Sequence, residues 1–366
     1  MNENLRDIFF QLLRLGLWGE GAGSLSRVLT AEEWSAMYQR AKTQTVEGLL
    51  FDALSSLPVE QQPPKELLLK WTVRVDQIER YNKQMNQVIV EQNAVFSAEG
   101  VKPILLKGQG VAACYPNPLH RSSGDIDWWF EEDGYDRVLE SLRKIQHHVN
   151  APVNFSLDYK WRGIEIEHHR HLFDVKNPFK IGYLKKLYRQ FRTKQQTLQI
   201  IGQPVTLLAP ELQILQVNVH ILKHLIGYGI GLRQLCDSAV LYKAYRDCVD
   251  ADELKKMYQK VGILKWVHVL HALLVKYLGL PEEYLPFPVP KQMNPDWMME
   301  EIWIAGNFGI YDERFVDAKV SAGFARPDAP RRLWRNFRLY FPYAPQEVFF
   351  FPVRRATARL TAFLKR

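Results

Sequence analysis

The sequence predicts an α+β fold: a small mixed β-sheet flanked by N-terminal and C-terminal helical regions. Three observations predict it. Apolar residues recur at helical spacing through roughly the first 100 residues. Short apolar runs of strand length then alternate with helical segments between residues 102 and 208. After Pro210 the pattern is helical again up to residue 278.

The elements follow in order. Leu5, Ile8, Phe9, Leu12 and Leu13 form one helical stripe, broken by Gly16, Gly21 and Gly23. Thr30-Ala-Glu-Glu33 reads as a capping box opening the next helix. Helical signals continue to Leu54, where Pro58, Pro63 and Pro64 interrupt. A long helix is expected over 65–98, with Leu68, Trp71, Val75, Ile78, Met85, Ile89 and Phe96 on its apolar face and Gly100 at its end. The alternating stretch predicts a strand at 102–106, a short helix at 108–114, a strand at 125–130 and a helix at 133–145. It continues with strands at 153–159 and 163–169, a basic helix at 179–192 and a hairpin over 196–208 turning at Gly202. Pro210 suits the first position of a helix, and helices follow at 211–226, 231–246, 251–261 and 263–278. Over 281–352, Pro286, Pro288, Pro290 and Pro295 predict irregular structure wrapping the core, with a short helix near 296–305 and a basic helix at 357–365. This divides the chain into a helical lobe (1–100), a sheet-bearing unit (101–208), a second helical region (209–280) and a C-terminal extension (281–366).

The net charge of +8 is not spread evenly. Residues 326–366 hold ten Lys/Arg against two acids, which leaves 38 basic against 38 acidic residues in the remainder. In this tail Arg331, Arg332, Arg335 and Arg338 interleave with Leu333, Trp334, Phe337 and Tyr340. Such interleaving suits nucleic acid or an anionic membrane surface. For nucleic acid, a packed tail with a solvated cationic face is the preferred reading; peripheral membrane contact stays open. No apolar run reaches the length of a membrane span, and the first residues lack the pattern of a secretory signal. The three cysteines, Cys114, Cys236 and Cys248, lack metal-ligand spacing and are odd in number, which fits reduced thiols and a cytoplasmic protein.

The stretch Ile104-Leu-Leu-Lys-Gly-Gln-Gly110 through Ser123-Gly-Asp-Ile-Asp127 is the chemical focus. It reads as a strand, a glycine turn, a short helix, a polar loop and a second strand. On that strand Asp125 and Asp127 share a face. Paired carboxylates repel unless a cation lies between them, and an oxygen-only set suits Mg²⁺ or Mn²⁺. On the Asp-x-Asp spacing alone, a solvated strand end is the preferred reading.

Leu106-Lys-Gly108, Tyr115-Pro116 and Arg121-Ser-Ser-Gly-Asp-Ile-Asp127, in that order, resemble a bacterial group of uncharacterised nucleotidyltransferases within the polymerase-β-like superfamily. The resemblance spans about residues 30–280 and implies that the sheet is a nucleotidyltransferase palm. It implies a metal-dependent enzyme that moves an NMP from an NTP to an acceptor hydroxyl and releases pyrophosphate. The family's Glu-x-His-x-x-Leu pattern falls on Glu167, His169 and Leu172, making Glu167 the third metal ligand beside Asp125 and Asp127, with Glu165 in reserve. His169 then orients the acceptor or a phosphate, or bonds a carboxylate. A zinc site built on His168, His169 and His171 is rejected, because no Cys accompanies them and adjacent strand residues face opposite ways.

Gly108 allows the backbone to approach phosphate, and Lys107 offers charge for it. The wider superfamily has Gly-Gly or Gly-Ser at this turn and a shorter path to the acidic pair. Ser122 or Ser123 is therefore the substitute hydroxyl. Arg121 either clamps a phosphate or pins the loop to a nearby acid. The segments 208–224 and 232–241 also resemble the family's helical region, which brings in His220, His224 and Arg233 as binding candidates and Asp237 as a scaffold partner. The alternative function is a catalytically silent nucleotide- or partner-binding module on the same fold. Acceptor, base preference and oligomeric state are not encoded in any of these motifs.

Overall fold

A computed structural model of the chain describes residues 1, 3–19, 23–131, 133–145, 156–315 and 329–364. Gly21, the first residues of the strand expected at 153–159, and Lys365 at the end of the predicted last helix lie outside these. The architecture is a six-stranded mixed sheet embedded in helices.

Four helices come first: α1 (Glu3–Trp18), α2 (Ala31–Thr43), α3 (Glu47–Leu54) and α4 (Lys65–Ala98). Thr30 caps α2 through the reciprocal bonds of a capping box with Glu33. The sheet-bearing stretch holds β1 (Pro103–Leu106), α5 (Gly108–Ala112), β2 (Asp125–Phe130), α6 (Gly134–Ile145), β3 (Ser156–Trp161), β4 (Ile164–His169), α7 (Ile181–Phe191), β5 (Gln196–Ile200) and β6 (Gln203–Leu207). Strand order is β3-β4-β2-β1-β6-β5. β2 runs parallel to β4 and β1 parallel to β6, while the other neighbours are antiparallel. Then come α8 (Pro210–Gly227), α9 (Leu232–Tyr245), α10 (Ala251–Val261), α11 (Leu264–Leu278), α12 (Asp296–Ala305), α13 (Ala329–Tyr340) and α14 (Pro345–Leu364). Among the described residues no helix is long and apolar enough to cross a membrane.

The C-terminal extension departs from expectation. The described residues of 281–352 are not mainly irregular: α13 and the first part of α14 are helical, and the last helix starts at Pro345 rather than near residue 357. Pro345 suits a first helical turn, while Pro352 inside α14 hid the pattern by removing a backbone donor. The helices form because α13 has something to pack on. Arg332 is buried and donates to the Tyr228 and Gly309 carbonyls, and Asn336 donates to those of Leu225 and Ile226 at the end of α8. Part of the basic tail is thus internal structure.

Two apolar cores sit on opposite faces of the sheet. One joins α4 to Leu105, Ile126, Trp128, Phe130, Leu157 and Ile166. The other runs from α1 through α8–α12 to Val348 and Phe351. The strand alternation divides the residues accordingly: Trp128 packs under α4, while Asp127 and Trp129 face the α8 side.

Candidate active site

The site is assembled by strand register. β2 and β4 pair so that Asp125 lies beside Glu165 and Asp127 beside Glu167. His169, two residues past Glu167, shares its face. Its Nε2 donates to Asp127 Oδ1 at 2.6 Å, and its Nδ1 lies 3.6 Å from Glu167 Oε1. β1 pairs Leu106 with Asp127, which brings the next residue, Lys107, alongside: its Nζ is 3.0 Å from Asp127 Oδ1. At this turn Lys107 has φ 45° and Gly108 φ 39°. Glycine adopts such a conformation freely; a lysine there is strained, a cost usually met where the surroundings fix a functional side chain.

The carboxylates are not equivalent. The Asp125 carboxylate makes no hydrogen bond or ion pair with any described residue, and the residue is exposed to solvent. Its carboxyl is pushed up to about 6, first by the charge on Asp127 and then by the protein packed around the cleft, with Lys107 opposing. Burial also acts against ionisation of Asp127, but Lys107 and the His169 hydrogen bond outweigh it and hold that carboxyl well below its ordinary value. Lys107 stays charged despite burial because Asp127 and Glu167 face it. His169 is raised above its ordinary value: burial opposes its charge, and Glu167 together with the Asp127 bond prevails.

Helices α8 and α9 make the opposite wall of a cleft of about 140 Å³. From α8, His220 Nδ1 donates to Asp174 Oδ2 at 2.9 Å, and Lys223 Nζ donates to Asp174 Oδ1 at 2.8 Å. Burial, then Lys107, pushes His220 down to about 3, so its ring is neutral. His224 is also driven down by burial and then by His220, and its buried Nδ1 has no hydrogen-bond partner among the described residues. Phe308 packs against it at 5.1 Å between ring centres. From α9, Arg233 lines the cleft with its Nε unpartnered while its Nη1 donates to the Ser122 carbonyl. The N-terminal helices place it: the Leu232 N–H donates to Gln44 Oε1, next to α2.

Arg121 is spoken for. Its Nε and Nη2 donate to the two oxygens of Asp237 at 2.7 and 2.8 Å, and Nη1 donates to Ser123 Oγ at 3.0 Å. Tyr115 also donates to Asp237, at 2.7 Å. With both prongs engaged and the side chain buried, Arg121 and Ser123 serve to pin the loop before β2 rather than to meet phosphate, and of the two readings open in the sequence it is the second that this geometry favours. Asn82 of α4 holds the same loop by donating to the Leu119 and Arg121 carbonyls.

The structure therefore brings together Lys107, Gly108, Asp125, Asp127, Glu167, His169, His220, His224 and Arg233 around one cleft. Glu165 lies outside it, its exposed side chain bonded to Lys160 of the neighbouring strand β3 at 2.8 Å. His168 is buried among Phe96, Phe130 and Tyr159 on the other face, as strand alternation requires. Asp174 escaped the sequence reading. It sits in the loop after β4 with no motif around it, and apart from a long contact to Lys176 its partners come with the approach of α8. Phe308 escaped for the same reason.

A divalent cation fits this site by its donors. Asp127, Glu167 and His169 offer ligand atoms within 4.8 Å of one another, and Asp125 adds an unpartnered carboxylate at the mouth. Because His169 already donates to Asp127, the carboxylates would be the ligands of such a cation, with the imidazole orienting one of them.

No curated protein matches the chain. A solved structure, an antigenic nucleotidyltransferase-like protein from Paracoccidioides brasiliensis, is similar over 56% of this chain and 93% of that one, at 14% identity and a TM-score of 0.31. Residues 30–279, more than half of the chain, match the family described as uncharacterised nucleotidyltransferases, and the chain belongs to that family.

Proposed function

We propose that the chain is a metal-dependent enzyme that moves an NMP from an NTP to an acceptor hydroxyl, with the sheet as its palm. The observation that carries this reading is the register of β2 and β4, which sets Asp127 beside Glu167 and leaves Asp125 charged, raised and unpartnered at the cleft mouth. Asp125, Asp127 and Glu167 would hold Mg²⁺ or Mn²⁺, which when bound lowers the pKa of the acceptor hydroxyl and offsets triphosphate charge. Arg233, with free donor capacity, and Lys107 bind phosphate oxygens. His169 keeps Asp127 oriented. The acceptor oxygen attacks the α-phosphorus in line; that O–P bond forms as the α–β bridging P–O bond breaks, and pyrophosphate leaves with the electron pair. The hydroxyl proton passes to a carboxylate oxygen of Glu167, which is partly exposed and carries only a long contact to His169. The working division is a helical lobe (1–100), the palm (101–208), a nucleotide-facing helical wall (209–280) and an extension (281–366).

Incubation with Mg²⁺ and labelled ATP, GTP, CTP and UTP tests the proposal. We expect label transfer and pyrophosphate release with at least one nucleotide, both lost in Asp125→Asn/Asp127→Asn; undiminished release by that double variant would remove these residues from the chemistry.

One observation favours a second reading. Lys107 already neutralises Asp127 and His169 hydrogen-bonds it, as expected of a silent module that kept the fold and binds nucleotide without turnover. Calorimetry with Mg²⁺ and nucleotide separates the two: heat of binding with no pyrophosphate, for every nucleotide, selects the silent module.

A further inference from the structure

A second cavity, of about 480 Å³, opens on the same sheet face as the carboxylates but uses none of them. Its floor begins at Trp129, two residues past Asp127 on β2, so the two sites lie about 7 Å apart along the strand. Trp129 meets Tyr188 of α7 edge-on at 4.7 Å, and Leu172 and Phe173 complete an apolar base. The residues that follow β4 form a partition: Phe173 and Val175 line this cavity, while Asp174 between them turns to His220 and Lys223 in the cleft.

The rim is cationic. Arg170, Lys185, Arg189, Arg192 and Arg354 stand against Glu131 and Asp136. The two acids are already occupied: Glu131 by Tyr188 and by Arg192 at 2.5 Å, Asp136 by Arg170 at 2.8 Å. The side chains of Lys185 and Arg189, one turn apart on α7, make no hydrogen bond or ion pair with any described residue. The field they help to create registers on His171, held below its ordinary value first by burial and then by Arg354, Lys185 and Arg170. A cavity of ligand size with an aromatic floor and surplus, uncommitted positive charge is complementary to one chemical class.

We propose that this cavity is a second small-molecule site, which takes an amphipathic anion: an apolar or aromatic body laid on Trp129 and Tyr188, with its anionic group held by Lys185 and Arg189. The site stands on its own residues and does not depend on the transfer reaction.

Calorimetric titration of the full-length protein with naphthalene-2-sulfonate, and with neutral naphthalene-2-methanol, tests it. We expect one sulfonate per chain, the neutral compound bound roughly tenfold or more weakly, and Lys185→Glu/Arg189→Glu weakening the sulfonate by about tenfold or more while leaving the neutral compound unchanged. Trp129→Leu should weaken both, and thermal melting verifies that each variant is folded. The proposal is overturned by absence of sulfonate binding or by equal binding to the charge-reversed protein.

Discussion

On the strand side of the cleft, Asp125 has no partner among the described residues, and its charge is disfavoured by its neighbour Asp127. On the helix side, Asp174 and Asp237 are saturated: Asp174 by His220 and Lys223, Asp237 by Arg121 and Tyr115. Cations divide the same way, with Arg121 fully engaged and Arg233 keeping a spare donor. The contrast separates two uses of charge within a few residues of each other. Saturated pairs shape the walls, and unsatisfied groups are left for a ligand. It also shows why residue type alone misassigns roles: Arg121 and Arg233 are both arginines at the cleft, yet only Arg233 has capacity to bind anything further.

The contrast breaks most visibly if activity and stability fail to separate. Asp125→Asn should lower NMP transfer on the order of 10³-fold, with a melting temperature equal to or above that of the parent, because repulsion with Asp127 is relieved. A variant that loses stability in step with activity would place Asp125 with the scaffold. Asp237→Asn should do the reverse and cost about 3–5 kcal/mol in urea unfolding, since it leaves the buried Arg121 charge without its counter-ion. Because the folded state holds Asp237 below its ordinary value, its contribution is complete above about pH 4 and drains away as the pH falls toward the folded pKa; the variant should lack that acid limb.

Two smaller effects sharpen the picture. Arg233→Ala should weaken Mg²⁺–NTP binding by about 10- to 100-fold in calorimetry without unfolding the protein; an unchanged affinity would return phosphate binding to Lys107 alone. Mn²⁺ affinity should be level above pH 6 and fall by up to about tenfold per pH unit below it, as the Asp125 carboxyl at about 6 takes a proton and ceases to be an anionic ligand. Asp125→Asn should flatten that dependence.

Most elements were legible because each carries its own period. The 65–98 helix and the strand at 125–130 need only local spacing and punctuation to be read. So were the same-face acids, since alternation along one strand is a local rule. The extension was not legible: α13 forms against α8, more than a hundred residues away, and Pro352 disguises α14. The outward Glu165 and inward Glu167 also look alike in sequence, although the order of the surrounding motif favours the second.

By itself the sequence determined which candidate groups could meet: two acids on one strand, a third acid with a histidine two residues on, and a lysine closing the first strand. Tertiary structure alone decided which charges remain available. Arg121 is consumed by Asp237 and Asp174 is captured by α8, while Asp125 and Arg233 are left over. Whether a charge is spent depends on the partners that folding brings within about 3 Å, and in both of the saturated pairs here those partners are distant in the chain.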